Sequence, residues 1–132
     1  MLVRYPLDEL VEKIGYQYKD KTLLEQALTH SSFANEQKIN KSMNYERLEF
    51  LGDAVLELVS SEFLFRTNPD MPEGQLTRTR ASMVCEPSLA YCARDLELNK
   101  YIRLGKGEGM TGGGYRDSII SDVMEAVIGS LY

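Results

Sequence analysis

No apolar run in this 132-residue sequence is long enough to cross a membrane. The first ten residues hold Arg4, Asp8 and Glu9 but no apolar leader segment, so no secretory signal is read there. A cytoplasmic protein is the expectation. Cysteine is scarce: Cys85 and Cys92, seven positions apart, match no zinc or redox spacing. Two reduced, mostly buried thiols on neighbouring helices are expected. Histidine is scarcer still, since His30 is the only one. At a helix end it reads as a structural hydrogen-bonder and not as a base. No segment alternates apolar and polar residues as a half-buried strand would, which predicts an all-α domain. Positive charge is in deficit, with 15 Lys and Arg against 20 Asp and Glu and a net charge of −5. Phosphate-binding proteins are usually basic, but clustered carboxylates attract phosphate once cations neutralise them. The acidic balance therefore fits a metal-dependent phosphodiesterase or a protein with no nucleic-acid role, and does not separate the two.

What the sequence does hold is the material of one domain, spanning 1–132, with 43% hydrophobic residues for a core and an ordinary 27% charged. Leu7, Leu10, Val11 and Ile14 follow helical spacing, which predicts a helix over Pro6–Ile14 with Gly15 as its stop. Asp20 can cap a second helix running to Leu28. Residues 37–42 form a polar connector. Residues 44–56 read as the first turns of a long helix that runs to about Phe65 and is ended by Asn68-Pro69-Asp70. Pro72-Glu73-Gly74 opens a helix over Gln75–Val84, and Pro87 opens another with Leu89, Ala90, Ala93 and Leu96 on one face. Asn99–Leu104 reads as a further helical turn. Gly105–Gly114 contains six of the ten glycines and is expected to be a flexible loop. It lacks the Gly-Lys-Ser/Thr ending of a phosphate-binding loop, and no strand precedes it. The last helix spans Arg116–Tyr132.

The rest of the chain is organised around the long helix. At about 100° per residue, Leu48, Leu51, Val55, Leu58 and Val59 share one face, the expected core stripe. Glu46, Glu49, Asp53 and Glu57 fall on the opposite face within about 80° of one another. An acidic stripe alone is most often a solvated face. Here Phe50 sits beside the acids, about 130° from the centre of the core stripe, which suggests a second surface to be buried. Gly52 lies inside the helix, where it costs roughly 1 kcal/mol against Ala. In the last helix Ile120, Val123, Met124, Val127 and Leu131 form the core stripe. Asp122 and Glu125, spaced i, i+3, project to the far side about 60° apart. Gly129, between them in projection and one turn on, permits close approach of another backbone or a ligand.

The run Glu46-Arg47-Leu48-Glu49-Phe50-Leu51-Gly52-Asp53-Ala54-Val55-Leu56 is similar to the signature of the ribonuclease III catalytic domain, of the bacterial two-domain type. Leu28-Thr29-His30-Ser31-Ser32 resembles that family's second helix and the turn after it. The segment Ser121–Tyr132 resembles its second motif, and the likeness extends from about Leu7 to Tyr132. By itself the pair Asp122 and Glu125 is a weak signal. It gains weight by recurring beside Glu49 and Asp53 at the family's distance along the chain.

The resemblance implies a helical endonuclease domain that hydrolyses phosphodiester bonds in double-stranded RNA, as in ribosomal RNA and mRNA processing. Two divalent ions roughly 3.5–4 Å apart can serve the attacking and leaving oxygens of such a hydrolysis. Mg²⁺, with Mn²⁺ as a substitute, suits oxygen ligands. Glu49, Asp53, Asp122 and Glu125 map onto the family's metal-site carboxylates, with Asp53 and Glu125 at the positions called catalytic. Glu46 and Glu73 match further acidic positions of its cleft; Glu57 has no such match and is expected to be solvated. Phe50 matches a dimer residue whose ring enters a socket on the partner of a homodimer. Such a dimer carries one site per subunit and leaves 5′-phosphate products with short 3′ overhangs. For RNA contact, Gln75, Thr77 and Arg78 near a helix start are the expected residues, since duplex RNA is read by shape and 2′-hydroxyls.

Two departures stand out. The family's usual bacterial member continues into a double-stranded-RNA-binding domain, and no such domain is expected within 1–132. Gly114 stands where the family often carries arginine. The rival reading is a non-catalytic RNA-binding or ribosome-associated scaffold on the same fold; loss of any of the four carboxylates would favour it, and all four are present.

Overall fold

The computed structural model describes residues 7–38, 43–110, 112–113 and 116–132. Among them the architecture is all-α: no strand forms, and the one β-type pairing is an isolated bridge between Thr29 and Arg103. Helix α1 (Leu7–Ile14) buries Leu10 and Val11. Its stop is Gly15, whose φ of 77° lets its N–H reach the Val11 carbonyl at 3.0 Å. Pro6 lies outside the described residues. Helix α2 (Lys21–Ala27) is capped by Asp20, whose carboxylate accepts the Thr22 N–H at 3.0 Å. Helix α3 (Ser31–Glu36) is too short for periodicity in the sequence to reveal it. Helix α4 (Glu46–Thr67) starts where the Asn44 side-chain oxygen accepts the Glu46 N–H at 2.9 Å. Then come α5 (Glu73–Val84), α6 (Glu86–Asp95), a 3-10 turn at Leu98–Lys100, α7 (Lys106–Met110) and α8 (Asp117–Leu131).

The most extensive packing is between α4 and α8. Helix α6 lies on α8, with Arg94 near its end paired to Asp117 at the start of α8. Helix α2 packs against both α4 and α8, α5 leans on α4, and α3 meets α7. Leu10, Leu24, Leu28, Leu98, Ile120, Val123 and Val127 are sealed in the core these elements enclose. At about 25 cal/mol per Å² of apolar surface removed from water, burial of such side chains is the main favourable term in folding.

Three expectations need correction. The apolar stripe of α4 is not its core face beyond Leu48: Leu58 is 65% exposed and Val59 56%, and Leu51 is exposed as well. The buried row is Leu48, Gly52, Ser60 and Leu64, with half-buried Leu56 between them. This is an i, i+4 ridge, which drifts about 40° round the helix at each step. A ridge of this kind is buried when the neighbour crosses a helix instead of running alongside it. The glycine-rich stretch is not wholly loop, because Lys106–Met110 is helical. Its start is pinned by the Gly105 N–H to Ser32 Oγ at 2.8 Å and by the Lys106 N–H to the Glu36 carboxylate. Thr111 and Gly114 lie outside the described residues. The two thiols are exposed, not buried: Cys85 occupies the N-cap position of α6 and Cys92 its outer face.

The α4–α8 crossing is a backbone-to-backbone contact at two glycines. A Cβ on Gly52 would overlap the Glu125 carbonyl and stand 2.9 Å from the Gly129 nitrogen. A Cβ on Gly129 would overlap the Leu48 carbonyl and stand 3.0 Å from the Gly52 nitrogen. Gly109, in contrast, has nothing within 4 Å of such a carbon. Gly52→Ala is therefore expected to cost about 3 kcal/mol or more, because rigid backbone and not a flexible side chain must give way. Gly109→Ala should stay within about 1 kcal/mol of the parent. Urea denaturation of both variants checks this, and equal midpoints would contradict the crossing.

Candidate active site

The crossing decides where the acids go. Glu49 and Asp53 flank Gly52 on α4, while Asp122 and Glu125 precede Gly129 on α8. With no side chains at the crossing point, the neighbouring carboxyl groups are drawn together. Glu49 shares a hydrogen bond with Asp122, and Asp53 shares one with Glu125. Two carboxyl groups can share a hydrogen bond when one of them carries a proton.

The electrostatics follow from this crowding. Burial raises the Glu49 pKa first, then the charge of Asp122 and the hydrogen bond to it, bringing it to about 7. Burial also leads for Glu125, followed by the hydrogen bond and charge of Asp53, bringing it to about 8. Asp122 is raised too, by burial and by the charge of Glu86, while its hydrogen bond to Glu49 pulls the other way. Each pair therefore holds on to a proton to higher pH than an isolated carboxyl group would. None of the four carboxylates has a Lys or Arg partner among the described residues.

This donor set has the chemistry of a hard-cation site, because it is all oxygen, half-buried at Glu49, Asp122 and Glu125, and short of positive charge. As they stand, the carboxyl groups are turned onto one another in pairs. Among the described residues no group of three or more His, Cys, Asp or Glu side chains is arranged to hold a metal ion.

The structure places the remaining candidates around this cluster or away from it. Glu46 opens α4, is exposed, and contributes to raising Glu49. Phe50 is 82% exposed on α4, and Leu51, Leu58 and Val59 on the same helix are exposed as well. Glu73, Gln75, Thr77 and Arg78 are all exposed on α5, and none is among the groups that shift Glu49, Asp122 or Glu125. Glu73 and Thr77 line a groove of about 510 Å³ between α4 and α5, together with Leu58, Phe65, Leu76 and Arg80. Glu57 is not merely solvated: Arg80 meets it at 3.1 Å and also donates to Ser61 Oγ at 3.0 Å.

His30 caps α3, as the sequence suggests. Its Nδ1 accepts the Ser32 N–H at 3.1 Å, and burial lowers its pKa. Two neighbours of the acids escape sequence reasoning. Glu86 at the start of α6 acts on Asp122 across a helix contact that no local spacing encodes. Tyr45 precedes α4 and is pushed well above the usual phenol range by burial and by Asp122, Glu49, Glu46 and Glu108. Its place beside the signature run was the only available signal.

A model of the family described as Ribonuclease-III-like matches residues 20–132. The chain is 56% identical over 126 residues to Ribonuclease 3 of Caldanaerobacter subterraneus subsp. tengcongensis, covering 96% of this chain and 55% of that protein. It is 53% identical over 123 residues to Ribonuclease 3 of Oceanobacillus iheyensis, covering 93% and 54%. The chain thus spans about half the length of the curated relatives it matches. Among solved structures it is similar to the nuclease domain of ribonuclease III from Campylobacter jejuni, described for structural flexibility in a region involved in dimer formation. There the TM-score is 0.88 at 44% identity, covering 96% of this chain and 84% of that one. Dicer from Pichia stipitis aligns with a TM-score of 0.62 at 26% identity, covering 88% and 46%.

The raised carboxyl groups link stability to pH. A carboxyl whose folded pKa lies above its unfolded value contributes stability at low pH that is lost as pH rises through the folded value. For Glu49 and Glu125 the window opens at the ordinary value of 4.5 and closes at about 7 and about 8. Thermal melts of the chain in EDTA should therefore fall in Tm across this window, and Glu125→Gln should flatten the fall. A parent Tm that climbs over the same range would contradict the geometry.

Proposed function

Because the chain belongs to the ribonuclease-III-like family, we propose that it is the nuclease part of a divalent-metal-dependent endoribonuclease that hydrolyses phosphodiester bonds in double-stranded RNA. The observation that carries this reading is the meeting of Glu49 and Asp53 with Asp122 and Glu125 across the glycine crossing. These four residues would hold Mg²⁺, or Mn²⁺ in its place, in a two-metal-ion type of hydrolysis with Asp53 and Glu125 as the catalytic pair. When bound, such ions supply an activated water and stabilise charge on the leaving oxygen.

The chain's own residues do the rest. Helices α4 and α8, locked at the crossing, hold the four carboxyl groups on rigid elements, which fixes the direction from which RNA is approached. The raised proton affinity of Glu49 and Glu125 means that a cation binding the same oxygens would displace protons. Glu46 and Glu73 extend the acidic lining. Gln75, Thr77 and Arg78 offer hydrogen-bond donors and a cation to the RNA backbone from an α5 surface left open to solvent. Exposed Phe50, a large apolar side chain on the acidic side of α4, fits burial against a second copy of the chain. A homodimer with one site per subunit then gives 5′-phosphate products with short 3′ overhangs. Processing of ribosomal RNA and mRNA in the cytoplasm is the corresponding role. Among the described residues no helix is long and apolar enough to cross a membrane.

The test is cleavage of labelled duplex RNA with Mg²⁺ or with EDTA, beside Asp53→Asn and Glu125→Gln. Cleavage should require the metal, and each variant should lose it by about 100-fold or more, on the order of 3 kcal/mol of transition-state stabilisation. Cutting that persists in EDTA, or at parental rate in both variants, would rule the mechanism out.

A further inference from the structure

Helix α5 carries the proposed RNA contacts, yet little apolar burial holds it in place. None of its residues is buried, and Leu76 is the one large apolar side chain in its first two turns. Along those turns the groove of about 510 Å³ separates it from α4. Helices in proteins owe most of their stability to packing of an apolar face. The orientation of α5 has to come from directional bonds instead.

Arg80 supplies them. Its Nε meets Glu57 Oε2 at 3.1 Å, and its Nη1 donates to Ser61 Oγ at 3.0 Å. Glu57 and Ser61 stand one turn apart on the same side of α4. Ser61 Oγ donates its own proton to the Glu57 carbonyl at 2.6 Å, so its oxygen is held as an acceptor for the guanidinium. Two donors of one planar group thus engage two fixed acceptors, a geometry that a lysine ammonium does not reproduce. Among the described residues no other α5 side chain makes an ion pair or a side-chain hydrogen bond to another helix.

The rotation of α5 about its own axis decides what it shows to solvent. At about 100° per residue, Arg78 and Gln75 lie about 160° and about 140° round the helix from Arg80, so both project from the face opposite the fork. Glu73, Leu76 and Thr77 lie within about 60° of Arg80, and they line the groove with it. Arg78 is exposed and has no ion-pair partner among the described residues. Arg80, two positions on, is committed to α4. We propose that Arg80 is a positioning residue for RNA binding: its fork onto Glu57 and Ser61 fixes the rotation of α5 and so aims Arg78 and Gln75 at the phosphate backbone. The inference rests on the reading of the chain as a duplex-RNA nuclease with contacts on α5. Glu57, which stands apart from the four clustered carboxylates, then serves the substrate through Arg80 although it carries the same sign of charge as RNA.

The test is steady-state cleavage of labelled duplex RNA in Mg²⁺ by the parent chain, Glu57→Gln, Arg80→Lys and the double variant. On charge alone, Glu57→Gln removes a negative charge from an acidic protein and should tighten RNA binding. The fork predicts the opposite sign. KM should rise about 5-fold, the upper end for a half-exposed ion pair, while kcat stays at the parental value. Arg80→Lys keeps the charge but loses the fork, so its KM should rise equally. The double variant should do no worse than either, because both changes break one link. A parental or lower KM in Glu57→Gln would overturn the role given to Arg80, and a rise confined to Arg80→Lys would assign Arg80 to direct RNA contact and overturn it too. A fall in kcat at parental KM would mark loss of folded chain and overturn it as well. A parent chain that leaves duplex RNA uncut in Mg²⁺ would overturn the nuclease reading itself, which separates the two failures.

Discussion

The site depends on a contact between two backbones. Helices α4 and α8 touch where Gly52 meets Gly129, and neither position has room for a methyl group. Glycine in a helix interior costs about 1 kcal/mol against alanine. Two such positions facing each other make sense only if the close approach itself is required. That approach brings the carboxyl groups of Glu49, Asp53, Asp122 and Glu125 into hydrogen-bonding pairs, although like charges repel. The folded chain therefore holds a strained charge distribution on a rigid frame, and a cation or protons must relieve it.

The surrounding structure serves that frame. Core residues from α1, α2 and the 3-10 turn pack with α8 side chains such as Ile120, Val123 and Val127 and fix one side of the α8 helix. Helix α6 is tied to α8 through Arg94 and Asp117. Helix α3, through the His30 cap and Ser32, anchors both the start of α7 and the ring of Tyr45. The second half of α4 is left with large exposed apolar residues, including Phe63 and Phe65, next to a groove against α5. Along α4 the buried ridge of Leu48, Gly52, Ser60 and Leu64 thus runs beside exposed acids and apolar side chains on the same helix.

Much of this was legible in the sequence because it is local. The helix starts at Asp20 and Asn44, the stop at Gly15 and the acid pairs on two helices follow from residue type and spacing alone. The resemblance to ribonuclease III supplied the link between Glu49 and Asp53 on one helix and Asp122 and Glu125 on the other. What periodicity could not give is how helices cross. A straight 100° projection made Leu51, Leu58 and Val59 the core face of α4, whereas a crossing partner buries the i, i+4 ridge through Gly52. The short helix α7 was hidden by its glycines, since the bonds from Gly105 and Lys106 to α3 are long-range. Glu57 looked like one more solvated acid because its partner, Arg80, lies on the next helix. The same limit hid Tyr45, whose relation to the acids is purely spatial.

The account reduces to a claim about crowded carboxyl groups, and their titration can be observed one by one. Side-chain ¹³C spectra of the metal-free chain, recorded against pH, should show Glu125 titrating near 8 and Glu49 near 7, well above the ordinary 4.5. If both titrate at the ordinary value, the four groups do not meet across the glycine crossing, and the site does not exist in the form described.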